Sequence, residues 1–102
     1  MNMSIEMPHY IVLFNFTDQG IRNIKDTIKR AEAFKNSVEK AGGKFVSEYY
    51  TFGKYDIVTT VEAPDDQTMM SIMLSTGSLG NVRSETLKAF PMEEAGKIIE
   101  RL

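Results

Sequence analysis

The 102-residue chain contains no cysteine. That absence excludes disulfides, thiolate catalysis, zinc knuckles and iron–sulfur ligation together, and it agrees with a reducing cytoplasm. Histidine occurs once, at position 9, so a histidine-rich metal site is excluded by count. No apolar run approaches the ~20 residues that span a bilayer. The amino end, MNMSIEMP, lacks the basic and apolar regions of a signal peptide. Excess positive charge is missing as well, with a net charge of −2 and a pI of about 5.4. Neither nucleic acid nor a membrane is therefore an expected partner. Lys25, Lys29, Arg30 and Lys35 do cluster, but among Asp26, Glu32 and Glu39, which reads as a solvated helix surface. GSLGN is no phosphate loop, since no GK[ST] follows, and no GxSxG elbow is present. No cofactor is expected.

What remains can build a core. Hydrophobic residues make up 42% and charged residues 25%, enough for one globular domain. We place that domain at 8–102, with 1–7 as a flexible extension.

HYIVLFNF (9–16) reads as a strand apolar on both faces, Tyr10, Val12, Phe14 and Phe16 one way and Ile11 and Leu13 the other. Thr17 or Asp18 can cap a helix. Ile21, Ile24, Ile28, Ala31, Phe34, Val38 and Ala41 then predict one long amphipathic helix that stops at Gly42-Gly43. KFVSEYYT (44–51) and YDIVTTVEA (55–63) read as strands. Pro64 ends the ladder, and Asp65 or Asp66 caps a helix through MMSIML to Gly77. VRSETLKAF (82–90) is a fourth strand. Pro91 opens a last helix with Met92, Ala95, Ile99 and Leu102 on its apolar side. Met69, Met70 and Met73 are expected to fill a core or an interface.

This order, βαββαβ plus a terminal helix, predicts an α+β ferredoxin-like fold: a four-stranded antiparallel sheet with two helices on one face. Helices cover one face only, yet the first strand is apolar on both. A second copy of the same sheet is the economical cover, so a homodimer is expected.

Between strands 2 and 3, Gly53-Lys54 suits a type II′ turn. That register pairs Phe52 with Tyr55, Thr51 with Asp56, Tyr50 with Ile57 and Tyr49 with Val58. It sends Phe52, Tyr55, Tyr50, Ile57, Val46 and Val61 under the helices. Tyr49, Thr51, Asp56, Val58, Thr60 and Glu62 then face the partner sheet.

TDQGI (17–21), YYTFGKYDIVTTVEAPDD (49–66) and GSLGNVRSETLKAF (77–90) together resemble the GYD family. Its glycine, tyrosine, aspartate signature is matched by Gly53, Tyr55 and Asp56. The resemblance implies a place in the dimeric α+β-barrel superfamily. Cofactor-independent monooxygenases on this fold hold a pocket between sheet and helices. The amino-acid-binding effector domains of Lrp/AsnC regulators have a similar hairpin, and a glycine-valine similar to Gly80-Asn81-Val82, although this chain lacks their helix-turn-helix. GKYDIVTTV also lacks the alternating aromatics of RNA-recognition domains.

Three functions follow as expectations. The first is an oligomeric module binding a small organic ligand, an amino acid or carboxylate, at Tyr49, Tyr55, Asp56, Arg83, Glu85 and Asn15. Arg83 could hold a carboxylate through its planar fork, or pair with Glu85. The second is a cofactor-independent monooxygenase or isomerase, with tyrosine and asparagine positioning an aromatic substrate. His9 or Asp56 would be its proton acceptor. The third is a structural dimer acting through protein contacts. The plain reading of Asp56 is that it ties up the hairpin end, and that of the tyrosines is core packing with the hydroxyl satisfied.

Overall fold

The computed structural model describes residues 7–102, so the expected extension at 1–7 falls, but for Met7, outside the described residues. The elements are β1 (His9–Phe16), α1 (Asp18–Arg22), a 3-10 turn (Ile24–Asp26), α2 (Thr27–Lys40), β2 (Lys44–Tyr50), β3 (Ile57–Glu62), α3 (Asp66–Ser78), β4 (Val82–Ala89) and α4 (Met92–Ile99). The sheet runs β2-β3-β1-β4 and every pairing is antiparallel. This is the expected ferredoxin-like arrangement, with α2 over β2 and α3 over β4.

β1 lies between β3 and β4 and shows its two faces as the sequence requires. Tyr10, Val12 and Phe14 are buried beneath the helices, while Ile11 and Leu13 are half-buried on the opposite face. Val12, Val38 and Val61 are wholly enclosed. Phe34 of α2 meets Phe14 edge-on at 5.6 Å and Phe45 of β2 at 6.3 Å. Such aromatic pairs add about 0.5–1.5 kcal/mol each beyond the burial of their area. Met69 and Ile72 complete the core from α3, whereas Met70 stays exposed.

The long first helix is broken. At Asn23 the backbone leaves helical geometry (φ −105°, ψ 35°), and a separate helix resumes at Thr27. Side chains share the carbonyls around the break. Asn23 Nδ2 donates to Gln19 O at 3.0 Å, and Arg30 donates to Asn23 O at 2.9 Å and Gly20 O at 3.1 Å. Meanwhile α1 is tied to the turn before β4. Thr17 Oγ1 donates to Gly80 O at 2.6 Å, Thr17 N to Asn81 O at 3.1 Å, and Gln19 Nε2 to Leu79 O at 3.0 Å. These tethers pull α1 off the α2 axis. Ile21 and Ile28 are therefore 53% and 58% exposed, and the apolar stripe reaches the core only from Phe34 onward.

The hairpin register is as expected at Tyr50–Ile57 and Tyr49–Val58. Its ends differ. A bulge between Phe45 and Ser47 exposes Val46 and sends Phe45 into the core instead, because an extra residue reverses the alternation. Past Tyr50 the regular ladder stops, although Thr51 N still donates to Asp56 O at 2.8 Å. Gly53 takes φ +113°, which favours glycine, and Phe52 beside it is fully exposed. Asp56 N turns to Phe14 O at 2.9 Å, so residues 51–56 no longer follow strand parity. Tyr55 consequently reaches away from the helices.

Gly20 marks the tightest approach of α1. A Cβ there would stand 2.0 Å from Asn81 O. Gly20→Ala is expected to cost at least ~2–3 kcal/mol. Gly77→Ala, with open space around it, should be neutral or stabilising by up to ~1 kcal/mol. Urea unfolding of the two variants measures both.

Candidate functional site

Two surfaces carry chemistry. The first is the sheet face away from the helices. Ile11, Leu13, Val58 and Leu87 make its apolar centre, and Tyr49, 67% exposed, extends it onto β2. Tyr49, Val58, Leu13 and Glu85 form one row across all four strands.

The expected site residues fall mostly at one end of this face. Tyr55 OH donates to Glu85 Oε1 at 2.9 Å, and this bond to a carboxylate raises the phenol's pKa. That bond also places Tyr55 opposite the helices, correcting its expected burial beneath them. Asn15 lies opposite Arg83 in the β1–β4 ladder, and its Nδ2 donates to Lys54 O at 2.8 Å. Asp56 Oδ2 accepts from Phe16 N at 2.9 Å. Asp56 thus closes the hairpin end, satisfying an amide at the end of β1 that the β3 ladder does not reach. Arg83 and Glu85 do not pair within the chain; among the described residues the ion pairs are His9–Glu62 and Lys88–Asp66.

His9 stands apart. Its Nε2 is 3.5 Å from Glu62 Oε2, and its Nδ1 is buried without a partner among the described residues. Seven residues of extended strand separate His9 from Phe16, the partner of Asp56, which is about 23 Å. His9 and Asp56 therefore do not meet at one reacting atom.

The second surface is a cleft of about 140 Å³ between α2, α3 and the sheet. Phe14, Phe34, Ile57, Leu79 and Val82 line its apolar part. Thr27, Arg30, Glu48 and Tyr50 supply polar groups. Thr27 Oγ1 and Tyr50 OH are 3.1 Å apart, and buried Thr59 donates to Glu48 Oε1 at 2.8 Å. Desolvation raises the Tyr50 pKa, and the nearby Glu48 adds to the effect. Arg30, expected on a solvated helix surface, lines this cleft instead, and Glu48 joins it without having been a candidate. The signal was present, since Glu48 shares parity with Tyr50 and the correct register sets it opposite Thr59 on the helix side.

A third cluster locks α3 onto the sheet. Asp65 caps α3 as expected, its Oδ1 accepting from Thr68 N at 2.7 Å. Asp66 has another task. Its Oδ1 accepts from Tyr10 OH at 2.5 Å, and Lys88 Nζ approaches to 3.1 Å. The Tyr10 bond first, then Lys88, holds Asp66 below the usual carboxylate range. Burial first, then Asp66, pushes the Tyr10 phenol up. Among the described residues, no group of three or more histidine, cysteine, aspartate or glutamate side chains is arranged to hold a metal, and no helix is long and apolar enough to cross a membrane.

A four-stranded antiparallel sheet, helices on one face and an open apolar face on the other, defines a small ferredoxin-like α+β domain. The chain belongs to the GYD domain family, whose model matches residues 10–99. A Thermus thermophilus protein named "Glutamine synthetase and cystathionine beta-lyase binding protein" is 35% identical over 89 residues, covering 86% of this chain and 94% of that protein. The crystal structure of TTHA0845 from the same organism shares the fold. Its TM-score is 0.54 at 24% identity, over 83% of this chain and 95% of that one. MupZ from Pseudomonas fluorescens aligns at 15% identity with a TM-score of 0.45, over 100% of this chain and 82% of that one.

Because the folded Asp66 has a lowered pKa, its contribution to stability is present above the unfolded value, about 4, and is lost as pH falls through the folded value. Asp66→Asn should therefore lower the urea midpoint at pH 6 and reduce the drop between pH 6 and pH 3. An unchanged acid profile in the variant would contradict the lock.

Proposed function

We propose that this chain is a homodimeric protein-binding module whose open sheet face closes against a second copy and whose dimer docks onto a metabolic enzyme. The observation that carries the first half is the apolar centre of that face, Ile11, Leu13, Val58 and Leu87, left uncovered by the chain's own helices. An identical sheet offers it matching apolar area and an isologous fit. On this reading Tyr49, Tyr55, Asn15, Arg83 and Glu85 sit in or around the dimer interface, and Asp56 braces its edge. The Arg83 and Glu85 side chains, unpaired with each other within the chain, would then bond across it.

Two features support enzyme docking. The relative matched over nearly its whole length is named for binding glutamine synthetase and cystathionine β-lyase. In addition, α4 rests only lightly on the domain and turns apolar groups outward: Met92 is 90% exposed, Ile99 is exposed as well, and Leu102 just beyond the helix adds to them. Amphipathic helices dock into grooves through apolar anchors on one face, and Met92 and Ile99 stand at the i, i+7 spacing of such a face. A cytoplasmic location, already suggested by the missing cysteines, would place the module among such enzymes. A small-ligand role is a second reading, and what favours it is the cleft beside α2 rather than the open face.

Sedimentation at micromolar concentration should return a dimer, with Leu13→Arg or Val58→Lys shifting it to monomer. Surface plasmon resonance with purified glutamine synthetase and cystathionine β-lyase should show saturable binding to one of them, weakened about tenfold or more by Ile99→Glu. A monomeric wild type removes the dimer. Failure to bind either enzyme removes the docking assignment and leaves the dimer standing.

A further inference from the structure

The cleft between α2, α3 and the sheet presents an unusual pair of groups. Arg30 and Glu48 both line it, yet among the described residues no ion pair joins them. Each is held from behind. Two Arg30 N–H groups are spent on Gly20 O and Asn23 O, which fixes the guanidinium and leaves further donors of its five. Glu48 accepts from Thr59 through Oε1, and its carboxylate also bonds the Tyr50 hydroxyl, which leaves acceptor sites of its roughly four unused. The Tyr50 hydroxyl thus stands between Thr27 and Glu48, and the Arg30 charge acts on it as well. A fixed cation and a fixed anion thus line one small space without neutralising each other.

The rest of the cleft is apolar and of limited size. At about 140 Å³ it is close to the ~150 Å³ apolar cavity that holds a benzene molecule. One ring or one branched aliphatic group fills it, between Phe14, Phe34 and Ile57 on one side and Leu79 and Val82 on the other.

We infer that this cleft binds a small apolar α-amino acid, its side chain among the aromatic and aliphatic residues, its carboxylate on Arg30 and its ammonium on Glu48. The choice follows from charge. A simple carboxylic acid would satisfy Arg30 and face Glu48 with like charge. A simple amine would do the reverse at Arg30. A hydrocarbon would desolvate both groups and pair neither, which is costly. Only a molecule carrying both charges next to an apolar body answers all three features. Guanidinium–carboxylate recognition also gains from the planar fork of arginine. The inference rests on the small-ligand reading and is independent of enzyme docking.

The test is calorimetric titration of the full chain, followed by amide chemical shifts, with L-phenylalanine and L-leucine. Three further probes are 3-phenylpropionate, which lacks the amine, phenethylamine, which lacks the carboxylate, and toluene. Saturable binding of an amino acid is expected, with shifts centred on Thr27, Glu48, Tyr50 and Ile57. Either one-charge analogue should bind about tenfold to a hundredfold more weakly, the worth of a charge-assisted hydrogen bond. Glu48→Gln should weaken phenylalanine by a similar factor while leaving phenylpropionate unharmed. Arg30→Gln also loosens the α1 tether, so Ala31→Leu, which fills the cleft wall, is the companion variant. It should abolish binding with the circular dichroism and oligomeric state unchanged. Equal affinity for the amino acids, the one-charge analogues and toluene overturns the ligand class while leaving a small-ligand cleft in place. No binding of any probe at ~10 mM overturns both, as do shifts confined to the open sheet face.

Discussion

Everything in this domain is referred to β1. It is hydrogen-bonded on both sides, to β3 and to β4, and its side chains alternate between the core under the helices and the open face of the sheet. Tyr10, Val12 and Phe14 anchor the helical layer, while Ile11 and Leu13 give the other face its apolar centre. A central strand cannot slip by one residue without exchanging these two sets. The two-faced pattern therefore fixes the register of its neighbours and leaves one face of the sheet unfinished by the chain's own helices. The proposed dimer is the consequence of that single constraint.

The helical layer is positioned by polar ties at its two ends. Near His9, Asp66 joins Tyr10 of β1 to Lys88 of β4, so the first turn of α3 is held over the sheet. At the other end, Thr17 and Gln19 bind the turn before β4, Gly20 packs against it, and Arg30 clamps the carbonyls of Gly20 and Asn23. This second set breaks a helix that the apolar spacing alone would make continuous. The break turns the first isoleucines outward and sets Arg30 beside the cleft. A local tie thus decides where a positive charge sits.

The strands, α3, α4, the shared side of Val12 and Phe14, and the core register of the hairpin were legible because each rests on strong short-range signals. Alternation marked the strands, Gly42-Gly43 the end of α2, and Asp65 the start of α3. The family, too, was legible from Gly53, Tyr55 and Asp56 with their flanking blocks, and the match over residues 10–99 agrees. The candidate sites were less so. Tyr55, Glu85, Asn15 and Arg83 do gather at one end of the open face, but by way of a loop that abandons strand parity. Arg30 carried no mark of inward orientation, and Glu48 carried only its shared parity with Tyr50, which its charge outweighs in a reading of the sequence. Charge on a strand or helix reads as solvent-facing unless the register opposite it is known.

The sequence by itself determined which segments form strands and helices, that one sheet face must be covered by helices, and that the other is apolar at its centre. These follow from periodicity, capping and turn chemistry, which act over a few residues. Only the tertiary structure decided that the first helix breaks at Asn23, that a bulge exchanges Val46 for Phe45, and that Arg30 and Glu48 share a cleft. Each of these depends on groups distant in the chain, such as Gly20 against Asn81 or Glu48 against Thr59. Local preferences do not encode distances between such groups. Packing does, because it selects the arrangement in which nearly all of the buried donors and acceptors find partners at once.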